Sequence, residues 1–212
     1  MTENIEKARQ IVLYLLDIGA IKLNPDEPFT WASGWRSPIY CDNRLALSFP
    51  EIRDYIKHAL SSAVSDHFSG TEAIAGVATA GIPQGALVAD ELDLPFIYVR
   101  SKPKGHGLTN QIEGHVVPGQ KVAVIEDLVS TGGSSLKAVQ AIRDAGMEVL
   151  GMVSIFTYGF DLSVRNFEQA NVPYVSLSDY DTLIRVGIEE DLIPEAQIER
   201  LKGWRKSPDS WV

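Results

Sequence analysis

Val122-Ala123-Val124-Ile125-Glu126-Asp127-Leu128-Val129-Ser130-Thr131-Gly132-Gly133-Ser134-Ser135 is the segment that decides the fold. Its first four residues are a continuous apolar run, the mark of a strand covered on both faces. Two adjacent carboxylates follow, then a turn of hydroxyls and glycines. After it, Leu136, Val139 and Ile142 repeat at helical spacing over 134–145, up to Gly146 as a stop. Such a turn can aim several backbone N–H groups, hydroxyls and a helix N-terminus at one anion. Its glycines permit positive φ and a close backbone approach. The carboxylates repel a phosphate, but they accept hydrogen bonds from sugar hydroxyls or hold Mg²⁺ through water. A lone Thr131 or Ser134 would signify only a helix cap. The whole segment describes a site for a ribose 5-phosphate.

Outward from this segment the rhythm repeats. Apolar runs at 73–77, 95–99, 121–125 and 149–156 read as buried strands, with helical patterns at 83–91 and 134–145 between them. Alternating strands and helices predict an α/β core with a parallel sheet and helices on both faces. Before it, Ile5, Ala8, Ile11, Val12, Leu15 and Leu16 mark one helix over 5–18, with Gly19 as its stop. Pro50 opens a second helix over 50–67. Residues 20–47 are aromatic and interrupted by Pro25, Pro28, Gly34 and Pro38, which predicts short irregular strands. The chain therefore divides into N-terminal helices with a small subdomain (1–71), the α/β core (72–180) and a helical tail (181–212) carrying Trp204 and Trp211.

Composition narrows the function. The 212 residues are 45% hydrophobic and 22% charged, as in an ordinary globular protein. A net charge of −9 argues against nucleic acid and anionic membrane as partners, so a bound anion needs a local site. The single Cys41 suits a reducing compartment, and no apolar run approaches the roughly 18 residues that span a bilayer. The N-terminus has no signal-peptide pattern, so a cytoplasmic protein is expected. Familiar nucleotide motifs fail. Ile82-Pro83 stands where a P-loop after Gly76 to Gly81 needs Lys and Ser/Thr. Asn110 stands where a Rossmann turn from Gly105 needs Gly. His58, His67, His106 and His115 lack metal-ligand spacing.

Two further segments carry chemistry. Arg100-Ser101-Lys102-Pro103-Lys104-Gly105-His106-Gly107 reverses the local charge of an acidic chain. A glycine-rich cationic loop suits closure over a diphosphate and exclusion of water. Phe29-Thr30-Trp31-Ala32-Ser33-Gly34-Trp35-Arg36-Ser37-Pro38-Ile39-Tyr40 combines aromatic faces with turn amides, as a flat, hydrogen-bonding base requires. Trp31 and Trp35 are assigned no chemistry.

The segment at 122–135 resembles the phosphoribosyl-diphosphate (PRPP) motif of type I phosphoribosyltransferases. The other two resemble the loop and the hood of the orotate phosphoribosyltransferases, in the same order along the chain. The resemblance implies a type I phosphoribosyltransferase-like core under a small N-terminal hood. It implies transfer of phosphoribosyl from PRPP to orotate, in pyrimidine biosynthesis, giving orotidine 5'-monophosphate and diphosphate. Lys104, Arg100, His106 and Asp127 would be catalytic. PRPP would meet Lys22, Thr79, Ala80, Arg100, Lys104, His106, Glu126, Asp127, Leu128, Val129, Ser130, Thr131, Gly132, Gly133 and Ser134. Orotate would meet Ser130, Tyr40 and Arg36. No residue would bind metal directly; Mg²⁺ would arrive on PRPP, water-bridged to Glu126 and Asp127. A homodimer sharing the mobile loop between subunits is also implied. Two positions depart from the family. Ser101 stands where many members have a second lysine, and Phe156-Thr157-Tyr158-Gly159 lacks the arginine that pairs with orotate. The orotate carboxylate then falls to main-chain amides, Ser130 or Arg36. The alternatives are a purine phosphoribosyltransferase and a non-catalytic PRPP-binding regulator.

Overall fold

Helix α1 (Ile5–Asp17) starts where the Asn4 side chain accepts a hydrogen bond from the Glu6 N–H, and the chain leaves it through Gly19 at φ +68°. This computed structural model describes residues 4–31, 34–101 and 111–211. The short strands expected after α1 are β1 (Ile21–Leu23), β2 (Phe29–Thr30), β3 (Arg36–Ser37) and β4 (Ile39–Cys41), paired antiparallel as β1 with β4 and β2 with β3. A 3₁₀ segment, Asn43–Ser48, leads to α2 (Pro50–His67), whose proline sits in the first turn where no N–H is needed.

The core continues as β5 (Ala73–Val77), α3 (Gly81–Leu92), β6 (Phe96–Val99), β7 (Ile112–Glu113), β8 (Lys121–Val129), α4 (Gly133–Asp144), β9 (Glu148–Thr157), α5 (Asp161–Gln169) and β10 (Tyr174–Asp179). These strands form one sheet in the order β10-β9-β8-β5-β6-β7, parallel except for β7 at one edge. On one face Ile74, Ile125, Val153 and Leu177 join residues of α1, α2 and α3. On the other, Ala75, Val124 and Met152 join Val139 and Ile142 of α4 and Phe167 of α5. Covering both faces is what the continuous apolar strands required. The order runs outward from β5 in both directions, so the switch point between β5 and β8 opens a crevice at their carboxyl ends.

Three differences from the sequence reading matter for the site. β8 does not stop at Ile125; it continues through both carboxylates, because Leu128 and Val129 still pair with Phe156 and Thr157 of β9. α3 begins at Gly81 rather than Pro83. A Cβ at Gly81 would lie 2.5 Å from the Ile125 carbonyl oxygen, so only glycine lets this helix start so close to β8. β10 adds a strand that the apolar runs do not reveal. Its Ser176 and Ser178 are buried, and their hydroxyls donate to the carbonyls of Ser178 and Ala8.

The tail is part of the main core. α6 (Tyr180–Glu189) and α7 (Glu195–Lys206) bury Leu183, Val186 and Leu201 in the same cluster as α1 and α2. Trp204, with 0% exposure, packs against Trp31, Tyr158, Phe160 and Tyr180, and its indole N–H donates to the Arg36 carbonyl at 3.0 Å. Hood, sheet and tail meet on this ring. Trp204→Ala is expected to cost about 3–5 kcal/mol of stability, as large-to-small changes of buried aromatics do. Trp204→Phe should lose less, and urea unfolding midpoints of the two variants check the order.

Candidate active site

The carboxyl end of β8 carries the densest chemistry. Glu126 is 5% exposed, and its carboxylate accepts hydrogen bonds from Ser135 Oγ at 2.9 Å and from the Asp127 N–H at 3.1 Å. Burial, then the neighbouring Asp127 charge, holds the Glu126 carboxyl well above the usual carboxylate range. Asp127 is half-buried and raised by burial, opposed by its hydrogen bond with Glu126. Of the two acids, Asp127 is therefore the more accessible and Glu126 the more deeply buried.

The phosphate turn follows directly. Gly132 has φ +79°, and a Cβ there would meet the Phe167 ring at 2.7 Å, so both conformation and packing require glycine. No side chain caps α4, which leaves the N-terminal N–H groups of a twelve-residue helix for an anion. Asn166 of α5 holds the turn by donating to the Thr131 carbonyl at 2.9 Å. Thr157 Oγ1 donates to the Val129 carbonyl at 3.2 Å. Gly133 and Ser134 are exposed, whereas Ser130 and Thr131 are half-buried. Leu128 and Val129 are strand residues: Leu128 is half-buried, and the Val129 side chain is packed in the core.

A cleft of about 270 Å³ lies beside Ser130, lined by Thr30, Trp31, Tyr40, Cys41, Leu128, Ser130 and Tyr158. Tyr40 is 40% exposed, its ring 5.7 Å from that of Phe29. Lys22 is directly opposite Tyr40 in the β1–β4 ribbon, so the two side chains share a face. Arg36 is opposite Thr30 in the β2–β3 ribbon in the same way, and it is exposed beside the cleft. Burial pushes the Tyr158 phenol and the Cys41 thiol well up, so both stay protonated donors.

A second cleft, about 400 Å³, lies between the ends of β5 and β6 and α4, and brings Arg100 together with Ser101, Ser134 and Lys137. Arg100 also pairs with Glu113 at 3.5 Å. Thr79 is exposed and Ala80 half-buried in the turn before α3, after a cis Ala78–Thr79 peptide. Lys104 and His106, with Lys102 and Ser33, lie outside the described residues. The sequence reading missed Lys137, Cys41 and Tyr158 as lining residues. Lys137 is three positions after Ser134 on one helix face, a spacing that could have flagged it. Cys41 and Tyr158 carried no local signal. A larger cavity of about 650 Å³ between α6 and α7 contains none of the expected site residues.

Comparison with known proteins gives a consistent result. Residues 47–178 match the phosphoribosyl transferase domain family. An orotate phosphoribosyltransferase of Porphyromonas gingivalis is 57% identical over 197 residues, covering 93% of this chain and 94% of that protein. The solved orotate phosphoribosyltransferase of Aeropyrum pernix is similar with a TM-score of 0.76 at 27% identity, over 87% of this chain and 99% of that one. The UMP synthase of Leishmania donovani is similar with a TM-score of 0.78 at 25% identity; this chain is covered to 93% and spans 42% of that longer one.

The buried acid pair has a thermodynamic signature. A carboxyl whose folded pKa is raised holds its proton more tightly in the folded state. The stability it contributes is complete below its unfolded value, about 4.3 for Glu, and is lost as pH rises through the raised folded value. Asp127 acts with the same sign. Glu126→Gln keeps the shape without the titration. It is expected to flatten the fall in melting temperature as pH rises above the unfolded value of about 4.3. Parallel wild-type and variant curves would remove Glu126 from the pH dependence.

Proposed function

This chain belongs to the orotate phosphoribosyltransferase family, and we propose that its site transfers the 5-phosphoribosyl group of PRPP to N1 of orotate, a step of pyrimidine nucleotide synthesis. The observation that carries this reading is the position of Ser130, which both opens the phosphate turn and lines the hood cleft. A ribose phosphate on the turn and a planar base in the cleft are then neighbours.

The 5-phosphate would be held by the N–H groups and hydroxyls of Ser130 to Ser134 at the start of α4. Asp127 would accept hydrogen bonds from the ribose hydroxyls, with Glu126 fixing its peptide from behind. Thr79, Ala80, Lys22 and Arg100, with Lys104 and His106 of the loop, would neutralise the diphosphate. Tyr40 would lie against the base, and Ser130 and Arg36 would meet its polar edge and carboxylate. In the reaction the anomeric C–O bond breaks and diphosphate leaves with the electron pair. The N1 lone pair of orotate forms the new C–N bond on the opposite face, and the N1 proton passes to solvent. Positive charge builds on the sugar ring at the transition state, so Asp127 and the anchored phosphate work chiefly by position and electrostatics. Binding energy from the remote phosphate is used at the reacting carbon.

Mg²⁺ fits as a companion of PRPP. Asp127 is a half-buried carboxylate at the carboxyl end of β8, an oxygen donor of the kind Mg²⁺ takes. Asp127 would meet such an ion through water, whereas Glu126, expected to share that role, is buried against Ser135; the ion's charge would offset that of the departing diphosphate. The reading extends to a cytoplasmic homodimer whose cationic loops serve the neighbouring site. The reducing-compartment signature of a lone cysteine supports the cytoplasmic part of that reading, and no helix among the described residues is long and apolar enough to cross a membrane.

An ultraviolet assay with orotate, PRPP and Mg²⁺, with adenine, hypoxanthine, xanthine and uracil in parallel, tests the reading. Orotate absorbance is expected to fall only when PRPP and metal are both present. Turnover of a purine instead would reassign the hood. No turnover of any base, with PRPP still raising the melting temperature, would favour a PRPP-binding regulator. Asp127→Asn is expected to weaken PRPP binding about tenfold to a hundredfold by calorimetry, the scale of hydrogen bonds to a charged group. Unchanged affinity would remove Asp127 from the diol clamp.

A further inference from the structure

Asn43 is a polar side chain with 0% exposure, placed between the two halves of the site. Its Nδ2 donates to the main-chain carbonyl of Asp127 at 2.8 Å, across 84 positions of sequence. Its Oδ1 accepts from the Cys41 thiol at 3.2 Å. Cys41 lines the hood cleft, and Asp127 carries the carboxylate at the crevice. One amide thus joins the wall of the base cleft to the peptide of the ribose-facing acid.

Two features frame that amide. On one side, Asp42 accepts from the Arg44 N–H and, through both carboxylate oxygens, from its guanidinium at 2.6 and 2.8 Å. On the other, β5 accompanies β8 only as far as Ile125, while β9 continues to Val129. The Asp127 carbonyl therefore lies beyond the β5 ladder, and Asn43 supplies the donor that a neighbouring strand would otherwise give. The protonated thiol donates into the amide and the amide donates into the carbonyl, so the chain of hydrogen bonds runs in one direction and its members polarise one another.

Resting on the functional reading above, we infer that Asn43 is a positioning residue that couples occupancy of the ribose site to affinity for the base. A diol bound to the Asp127 carboxylate orders the Asp127 peptide. The ordered carbonyl fixes Asn43, and Asn43 fixes the Cys41 wall against which the base lies. Coupling of this kind is reciprocal: the base strengthens ribose binding by the same factor. A residue that merely satisfied a buried carbonyl would contribute stability and no coupling.

Ribose 5-phosphate fills the ribose and phosphate positions without a leaving group, so it probes the coupling without turnover. Orotate affinity is measured by calorimetry with and without saturating ribose 5-phosphate. The wild type is expected to bind orotate about tenfold more tightly in its presence, within the usual range of allosteric couplings. Asn43→Leu, which keeps the branching of the Asn side chain without its polar atoms, and Asn43→Ala should each lose most of that gain, read as the ratio of orotate affinities with and without ribose 5-phosphate. Cys41→Ala, which removes the thiol donor from the other end, should lower it as well. Folded Asn43 variants with wild-type coupling and only a lower melting temperature overturn the inference. If neither Asn43 variant folds, undiminished coupling in Cys41→Ala overturns it and lost coupling supports it. A wild type that binds both ligands independently overturns the inference alone. A wild type that binds neither overturns the functional reading beneath it.

Discussion

The last residues of β8 are held as a strand from one side only, and much of the site follows from that. β9 pairs with β8 to Val129, so the backbone stays extended through Glu126 and Asp127. β5 has already ended, so the opposite edge is open to whatever packs there. Three features occupy that space. The start of α3 touches the Ile125 carbonyl through Gly81, Asn43 reaches the Asp127 carbonyl, and the crevice itself admits a ligand. A strand paired on both sides to its end would have spent those backbone groups on its neighbours. A strand that stopped at Ile125 would have left the carboxylates on a mobile loop.

Placing two adjacent acids there is costly, since both are partly or wholly withdrawn from water and their charges repel. Among the described residues no buried cation offsets that cost. Glu126 receives hydrogen bonds from Ser135 Oγ and the Asp127 N–H, and burial raises both carboxyls, which disfavours the doubly charged pair. Ser135 belongs to the first turn of α4. The acid pair and the phosphate turn are thereby tied by a short hydrogen bond, so a ligand that orders one end meets a pre-ordered other end.

How much of this was readable in the sequence depends on the range of the interaction. Doubly covered strands such as Ala73–Val77 are legible because burial on both faces forces a continuous apolar run. α2 is legible because Pro50 marks its first turn and its apolar spacing does the rest. The phosphate turn is legible because its hydroxyls, glycines and helix start are contiguous. β10 is not, because its buried serines find partners only in the folded chain, one of them the Ala8 carbonyl. The far end of β8 is hidden for the same reason: Glu126 and Asp127 look like a strand end unless β9 is known to run beside them. Trp204 gives no sign in α7 that its indole reaches the Arg36 carbonyl, and Asn43 looks like one more polar residue of a turn. The packing of α6 and α7 on the main core is hidden for this reason, since the tail supports the hood through contacts that only folding creates.

The electrostatic design separates two tasks that an acidic chain must reconcile. The phosphate turn needs no lysine or arginine, because backbone N–H groups at a helix start present partial positive charge in fixed positions. That recognition is local and leaves the net charge of −9 untouched. Fixed cations line the cleft beside the β6 end, where Arg100 comes together with Ser134 and Lys137 of α4. On the proposed reading, a phosphate monoester that stays bound throughout would be matched by dipoles, which cost no side-chain ordering. A leaving group that gains charge would be matched by full charges on long side chains, which can follow it. The hood then has only to supply a flat, largely apolar wall, and Tyr40, Trp31 and Tyr158 do so without adding charge beside Asp127.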